Sequence, residues 1–102
     1  MTARYVKLIE VIEQLGVDRD WLRTLEIEEF IHPKRSLDDD EVLSIEDVER
    51  IRVVRLLTEE MDINLAGAEV ILHMRETMRA MQTQFDEILA TLVAELRERL
   101  RK

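Results

Sequence analysis

The sequence contains no cysteine, one proline and two glycines among its 102 residues. Without cysteine the chain can form no disulfide, thiolate metal site or cysteine nucleophile. So few prolines and glycines leave little room for the many turns of an all-β fold. No apolar run reaches the roughly 18 residues of a membrane-spanning helix, and the first part of the chain lacks the apolar stretch of a secretory signal. We therefore expect a soluble, cytoplasmic, mainly helical protein.

Acidic residues dominate the first two thirds of the chain. Asp and Glu outnumber Lys and Arg by 23 to 15, which gives a formal net charge of −8. Residues 1–44 carry 11 acidic and 6 basic side chains, residues 45–64 carry 6 and 3, and residues 65–102 carry 6 of each. DNA attracts proteins through Lys and Arg placed against phosphates. The overall field of this chain therefore opposes DNA binding, although a local basic patch can still provide it.

Signals for catalysis or metal binding are weak. The two histidines, His32 and His73, are 41 positions apart, and the sequence has no HExxH motif and no glycine-rich phosphate loop. The consecutive carboxylates of residues 38–41 could attract calcium or magnesium. Their spacing does not match an EF-hand, and adjacent side chains cannot all point inward. We expect a protein that is not an enzyme and that holds neither metal nor cofactor.

A helix-turn-helix is predicted near the N-terminus. Residues 5–8 alternate in polarity and could form one strand. The apolar residues that follow have the spacing of a helix and stop at Gly16, a residue suited to a left-handed C-cap. Asp18 can cap a second helix. The apolar positions of that helix are Trp21, Leu22 and Leu25. Two short helices joined in this way form a helix-turn-helix.

A small β-hairpin, the wing of a winged helix, is predicted over residues 30–43. Its apolar ends are Phe30 and Ile31 on one side and Val42 and Leu43 on the other, and its centre is polar. The charged tip of the hairpin contains Asp38, Asp39, Asp40 and Glu41. We expect these four carboxylates to be solvated and to bind a basic protein partner by charge complementarity.

Two further helices follow the wing. Ser44 and Asp47 resemble a capping box, and Asn64 can cap a last helix that runs to about Leu100. The core stripe of the third helix comprises Val48, Ile51, Val54, Leu57 and Met61. In the last helix the apolar positions from Ile71 to Leu92 alternate steps of three and four, a strong coiled-coil signal.

The last helix is too long for one small head to cover. At 1.5 Å per residue it extends for roughly 54 Å, so a second chain is the simplest cover for its apolar stripe. We predict an antiparallel homodimer in which Met74, Met78, Met81, Phe85, Ile88 and Leu92 face the partner. The predicted architecture is a winged helix-turn-helix head, residues 1–63, and a dimerisation helix, residues 64–102.

Basic residues near the predicted wing leave a DNA-binding alternative open. Arg19 and Arg23 belong to the second helix, and Lys34 and Arg35 precede the tip of the wing. Side chains in these positions can reach bases and phosphates. Acidic residues surround all four of them, however, and each carboxylate near a phosphate is repelled.

Three segments of the sequence resemble the MerR superfamily. They are residues 30–33, which lead into the polar part of the predicted wing, residues 44–51 at the start of the third helix, and residues 62–72 at the start of the last helix. The last of these, Asp-Ile-Asn-Leu-Ala-Gly-Ala-Glu-Val-Ile-Leu, is similar to the matching segment of the heat-shock repressor branch and of the chaperone modulators. The resemblance extends over nearly the whole chain.

Departures from the DNA-binding members favour the chaperone-modulator branch. Those members usually have a glycine- and arginine-rich wing and a tyrosine where Leu25 stands, whereas this wing is acidic. Arg23 and Glu26 are retained, so the second helix is not wholly divergent. The resemblance implies a modulator that binds the J-domain of a DnaJ-like co-chaperone and regulates its work with Hsp70. It also implies that the J-domain offers a basic helix. The alternative is a transcription regulator of the MerR or heat-shock repressor type.

Overall fold

Residues 4–101, the part of the chain described by this computed structural model, form four α-helices and three short strands. In chain order the elements are β1 (Tyr5–Lys7), α1 (Leu8–Leu15), α2 (Arg19–Ile27), β2 (Lys34–Arg35), β3 (Glu41–Ser44), α3 (Ile45–Arg55), a π-helical segment (Leu56–Glu60) and α4 (Leu65–Arg101). This order confirms the predicted winged helix-turn-helix head followed by a long C-terminal helix.

The described residues divide into two compact units, one that ends at Glu69 and one that begins at Val70. The first unit contains the winged head. Its largest fully buried side chains come from the helices, the sheet and the segment after α2; they are Val11, Leu22, Leu25, Ile31, Leu43, Ile51 and Val54. The second unit consists of α4 beyond its first turn. No helix within residues 4–101 combines the length and the apolarity that crossing a membrane requires.

β3 is the central strand of the antiparallel sheet and lies between β1 and β2. Residue 6 of β1 is opposite Leu43, and residue 34 of β2 is opposite Val42. The hairpin prediction was wrong in its first strand, which is Lys34–Arg35. Phe30 and Ile31 lie outside the strands and are buried in the core of the head.

A tight turn after α2 explains why Phe30 enters the core. The amide of Phe30 donates to the carbonyl of Leu25 at 2.8 Å, and the amide of Glu29 donates to the carbonyl of Glu26 at 3.0 Å. These two bonds form a Schellman motif. Its left-handed position usually holds glycine, but here Glu29 occupies it with a φ of 65°. A search for glycine therefore misses this helix end.

The helix caps that local sequence predicts are confirmed. They are Gly16, Asp18, Ser44 and Asn64. Asn64 accepts a hydrogen bond from the amide of Gly67 at 2.8 Å. A Cβ atom at position 67 would lie only 2.8 Å from Cγ2 of Ile63, so glycine lets α4 begin directly behind its cap.

The π-helical segment changes which residues of the third helical stretch are buried. Ile51, Val54 and Leu57 are buried as predicted, whereas Met61, expected to end the same stripe, is 58% exposed. A π-helical turn contains more residues than an α-helical turn. The segment therefore rotates later positions around the helix axis and carries Met61 away from the core.

Asp47 is buried and ties the chain before the wing to the start of α3. It is 5% exposed, and its Oδ2 accepts a hydrogen bond from the amide of His32 at 2.8 Å. Its own amide donates to the hydroxyl of Ser44 at 3.1 Å, and its Oδ1 lies 3.4 Å from the guanidinium of Arg50. The capping-box prediction thus holds for Ser44, which accepts a hydrogen bond from the amide of Asp47. The carboxylate of Asp47 instead accepts a hydrogen bond from His32, in the segment that precedes Pro33.

Replacing Asp47 by alanine is expected to lower the free energy of unfolding by about 2 kcal/mol, because the amide of His32 loses its buried acceptor. Asp47→Asn keeps an acceptor oxygen of the same shape and should cost clearly less. Urea unfolding of both variants measures the difference. Equal, small losses in the two variants would show that this carboxylate does not hold the segment.

Candidate functional site: a charge-balanced groove on the head

A groove of about 230 Å³ lies between the start of α1, α2 and the wing. We call it the head groove. Its lining residues are Lys7, Leu8, Ile9, Arg19, Arg35, Asp39, Asp40 and Glu41. Three of the side chains are cationic, three are anionic and two are apolar. Ile9, one of the apolar pair, is 54% exposed.

The head groove combines residues that the sequence assigned to two different sites. Asp39, Asp40 and Glu41 were predicted to bind a basic protein, and Arg19 and Arg35 were predicted to contact DNA. The structure places all five around the same groove. The groove between α2 and the wing is therefore lined by equal numbers of cationic and anionic side chains.

Arg23 and Glu41 join α2 to β3 through a two-pronged ion pair. Nη2 of Arg23 lies 2.5 Å from Oε1 of Glu41, and Nη1 lies 3.0 Å from Oε2. Nη1 also donates to Glu26 at 2.8 Å. This geometry is stronger and more directional than a single contact, and Glu41 is only 23% exposed. The guanidinium of Arg23 is thereby engaged by two carboxylates of its own chain.

The pair shifts both groups towards their charged forms. Hydrogen bonds from Arg23 hold the pKa of Glu41 below its ordinary value, against the opposing effect of partial burial. Hydrogen bonds to Glu41 and Glu26 raise the pKa of Arg23 further. Both residues are therefore ionised at neutral pH, and their charges cancel locally.

The wing tip is a folded turn that does not include Glu41. Glu41 lies within β3, whereas the turn closes through the amide of Ser36, which donates to the carbonyl of Asp40 at 2.9 Å. Asp39 adopts a φ of 64° and accepts a hydrogen bond from Arg35 at its backbone oxygen at 3.0 Å. Asp40 faces Lys7 at 3.5 Å. Of the four predicted carboxylates, only those of residues 38 and 39 form an exposed tip.

The four basic residues predicted for DNA are not brought together as one positive patch. Arg19 and Arg35 line the head groove, and Arg23 is paired with Glu41. Lys34 is exposed on β2, with its Nζ 5.9 Å from the centre of the Tyr5 ring. Cations and carboxylates therefore alternate over this face.

Sequence reasoning missed two exposed apolar side chains of the head, one in the wing turn and one that lines the groove. Leu37 is fully exposed in the wing turn, and Ile9 opens onto the head groove. In the sequence, the feature that could have revealed the exposed Leu37 is a single leucine inside a polar stretch, next to Asp38. Exposed apolar groups among charged ones are typical of protein–protein contact surfaces.

The apolar stripe of α4 is exposed along its whole length in the single chain. We call its six predicted contact residues the α4 seam: Met74, Met78, Met81, Phe85, Ile88 and Leu92. Each is between 51% and 67% exposed. An apolar concavity of about 590 Å³ lies around Met74 and Met78. A continuous apolar stripe of this kind on an exposed helix face is typical of an interaction surface.

Among the residues that the structure describes, no three His, Asp or Glu side chains lie close enough together to hold a metal ion.

A family model for MerR helix-turn-helix regulatory proteins matches residues 6–89, more than four fifths of the chain. That match includes both the head groove and most of the α4 seam. No curated protein matches the chain.

The coupling energy between Arg23 and Glu41 is expected to be about 1 kcal/mol at neutral pH, at the upper end for a partly exposed pair. Arg23→Met, Glu41→Gln and their combination measure it by chemical unfolding. Because the pKa of Glu41 is lower in the folded than in the unfolded chain, the coupling is present above the unfolded pKa. The coupling disappears as the pH falls through the pKa of Glu41 in the folded chain.

The exposed Arg35–Asp39 pair is the matched control, with side chains 64% and 86% exposed. Arg35→Met with Asp39→Asn should show a coupling below about 0.5 kcal/mol. A coupling at Arg23 and Glu41 no larger than in this control would mean that the pair does not fasten α2 to the sheet.

Proposed function

The chain belongs to the MerR family of helix-turn-helix regulatory proteins, and from this premise we propose that it regulates by binding a protein, the J-domain of a DnaJ-like co-chaperone. Its action on that co-chaperone changes the work of the co-chaperone with Hsp70. The observation that carries the proposal is the engagement of Arg23 by Glu41 and Glu26. This pairing removes a DNA-reading donor from α2.

Duplex DNA is a poor fit to the face formed by α2 and the wing. A phosphate drawn towards Arg19 or Arg35 also approaches Asp39, Asp40 and Glu41, which line the same groove. Each carboxylate offsets the gain that a released counterion would provide. Freeing Arg23 would additionally break a two-pronged charged contact and leave Glu41 partly buried without its partner.

A protein surface fits the same face better. Exposed Ile9 and Leu37 can be covered by apolar groups, while the charges around them select a partner with complementary potential. The basic helix implied for a J-domain would meet the carboxylates of Asp38 and Asp39 at the wing tip. The resemblance of the last helix to the chaperone modulators supports this class of partner.

DNA binding remains the second candidate function because the family is defined by a helix-turn-helix and because Arg19 and Arg35 lie near each other on the relevant face. In that case sequence readout would depend on these two arginines and not on Arg23. The two functions differ in their expected response to salt, since binding that neutralises several phosphates weakens steeply as salt rises.

We also propose that the working unit is an antiparallel homodimer closed through the α4 seam. Residues 65–102 carry equal numbers of acidic and basic side chains, so two copies of this helix associate without net repulsion. The six seam positions are spaced symmetrically about residue 83. An antiparallel pair centred there places Met74 opposite Leu92, Met78 opposite Ile88 and Met81 opposite Phe85.

Calorimetric titration of the full chain with the J-domain of the organism's own DnaJ-like protein is expected to show binding. Asp38→Asn combined with Asp39→Asn should weaken it about fivefold, as expected for two rim contacts of about 0.5 kcal/mol each. Asparagine tolerates the left-handed backbone at position 39, so the turn is preserved. Glu60→Gln with Asp62→Asn removes the same charge outside the groove and should leave the affinity unchanged.

Absence of heat change or chemical-shift change at 100 μM J-domain would contradict the proposed partner. Binding of a duplex DNA library tighter than about 1 μM at physiological salt exceeds ordinary non-specific affinity. That result, with loss of binding in Arg19→Ala or Arg35→Ala, would establish the DNA-binding alternative.

Single-cysteine variants test the antiparallel dimer, because the chain has no cysteine of its own. In the pair centred on residue 83, positions flanking the axis meet their own copies. Gln84→Cys is therefore expected to form an interchain disulfide on mild oxidation. Leu92→Cys should not, because position 92 faces position 74. The reverse pattern would indicate a parallel pair, and a monomer in sedimentation at 50 μM would refute the dimer.

A further inference from the structure

Methionine supplies all the sulfur in this chain, and most of it lies in the α4 seam. The sequence has five methionines and no cysteine. Met74, Met78 and Met81 are spaced by four and three residues on α4, and they are 57%, 67% and 63% exposed in the single chain. Met61 is similarly exposed but lies outside the helix, and Met1 lies outside the described residues. Three accessible thioethers thus share one helix face.

The register of the proposed dimer distributes these sulfurs evenly. Met74 meets Leu92, Met78 meets Ile88 and Met81 meets Phe85, so each of these layers contains one thioether and one hydrocarbon side chain. The same layers repeat on the other side of the axis, which gives six thioethers per dimer. Leucine would fill these positions with nearly the same volume, so packing alone does not require methionine.

We propose that Met74, Met78 and Met81 form an oxidation-sensitive site through which peroxide separates the dimer; the inference depends on the antiparallel dimer proposed above. A lone pair of the methionine sulfur attacks one oxygen of hydrogen peroxide. The S–O bond forms as the O–O bond breaks, and the proton of the transferred hydroxyl passes to the departing hydroxide. The sulfur is thereby oxidised to the sulfoxide and the peroxide is reduced to water. The reaction needs no other reactant, and reduction of the sulfoxide restores the thioether.

The sulfoxide fits the closed seam less well than the thioether does. Its oxygen is a strong hydrogen-bond acceptor, and the residue opposite it in each layer is Leu92, Ile88 or Phe85, none of which has a donor in its side chain. Burial of unsatisfied polar groups is costly. Since six such groups accumulate per dimer, full oxidation should raise the dimer dissociation constant on the order of a hundredfold or more.

Association and oxidation are therefore linked and oppose each other. The closed seam covers the three thioethers, so peroxide reaches them chiefly in separated chains. The oxidised chains then remain separated. By linkage, the oxidation rate of Met74, Met78 and Met81 should fall as the protein concentration rises, whereas the rate at Met61 should not.

The test treats the full chain with hydrogen peroxide, locates sulfoxides by peptide mass spectrometry and measures assembly by sedimentation velocity. We expect a dimer before treatment and a monomer after it, with helix content unchanged by circular dichroism. The triple variant Met74→Leu, Met78→Leu and Met81→Leu should stay dimeric under peroxide. Met61→Leu, the matched control, should separate as readily as the natural chain.

Two outcomes separate the inference from the dimer on which it depends. An untreated chain that is monomeric at 50 μM overturns the dimer and the oxidation site together. An untreated dimer that persists after complete conversion of all three methionines overturns the oxidation site alone. Oxidation rates at the three residues that are equal at 5 μM and 500 μM in a dimeric sample would also overturn it, because the seam would then give no protection.

Discussion

Arg23 and Glu41, 18 positions apart in the sequence, bring the second helix of the head and the central strand of its sheet into direct charged contact. Three consequences follow from this one pair. It joins the wing strand to α2, it engages the guanidinium of Arg23 with a carboxylate of the same chain, and it holds Glu41 in a partly buried position away from the exposed wing tip. The neighbouring cations and carboxylates then alternate around the head groove. The resulting surface is balanced in charge and contains exposed apolar groups.

This arrangement underlies the proposal that this helix-turn-helix scaffold binds a protein partner. A helix-turn-helix and wing define a concave face, and the chemistry of that face selects what binds there. Arginines alone would favour phosphates, whereas arginines that share a groove with carboxylates and with exposed Ile9 favour a protein surface. The proposed self-association depends on the α4 seam. Residues 65–102 carry no net charge, so two copies of this helix can associate although the head carries the net negative charge.

Local features of the fold could be predicted from the sequence, and long-range pairings could not. Gly16, Asp18, Ser44 and Asn64 act on residues within one helical turn of themselves, so their roles follow from the residue type and its neighbours. The first wing strand was misplaced because Glu29 adopts a backbone conformation usually taken by glycine and turns Phe30 into the core. Most of the charged residues around the head groove were named individually from the sequence, but their position around one groove was not predicted. Neither periodicity nor charge counts reveal that Arg23 meets Glu41.

The account depends most on the state of Glu41 in the folded chain. A carbon-13 NMR titration of its side-chain carboxyl, assigned by comparison with Glu41→Gln, measures that state directly. The account predicts a midpoint clearly below about 4.3, the ordinary value for glutamate, and a return towards that value in Arg23→Met, because the hydrogen bonds from Arg23 lower the pKa. A midpoint at or above the ordinary value in the natural chain would mean that Arg23 does not hold Glu41, and it would contradict the account.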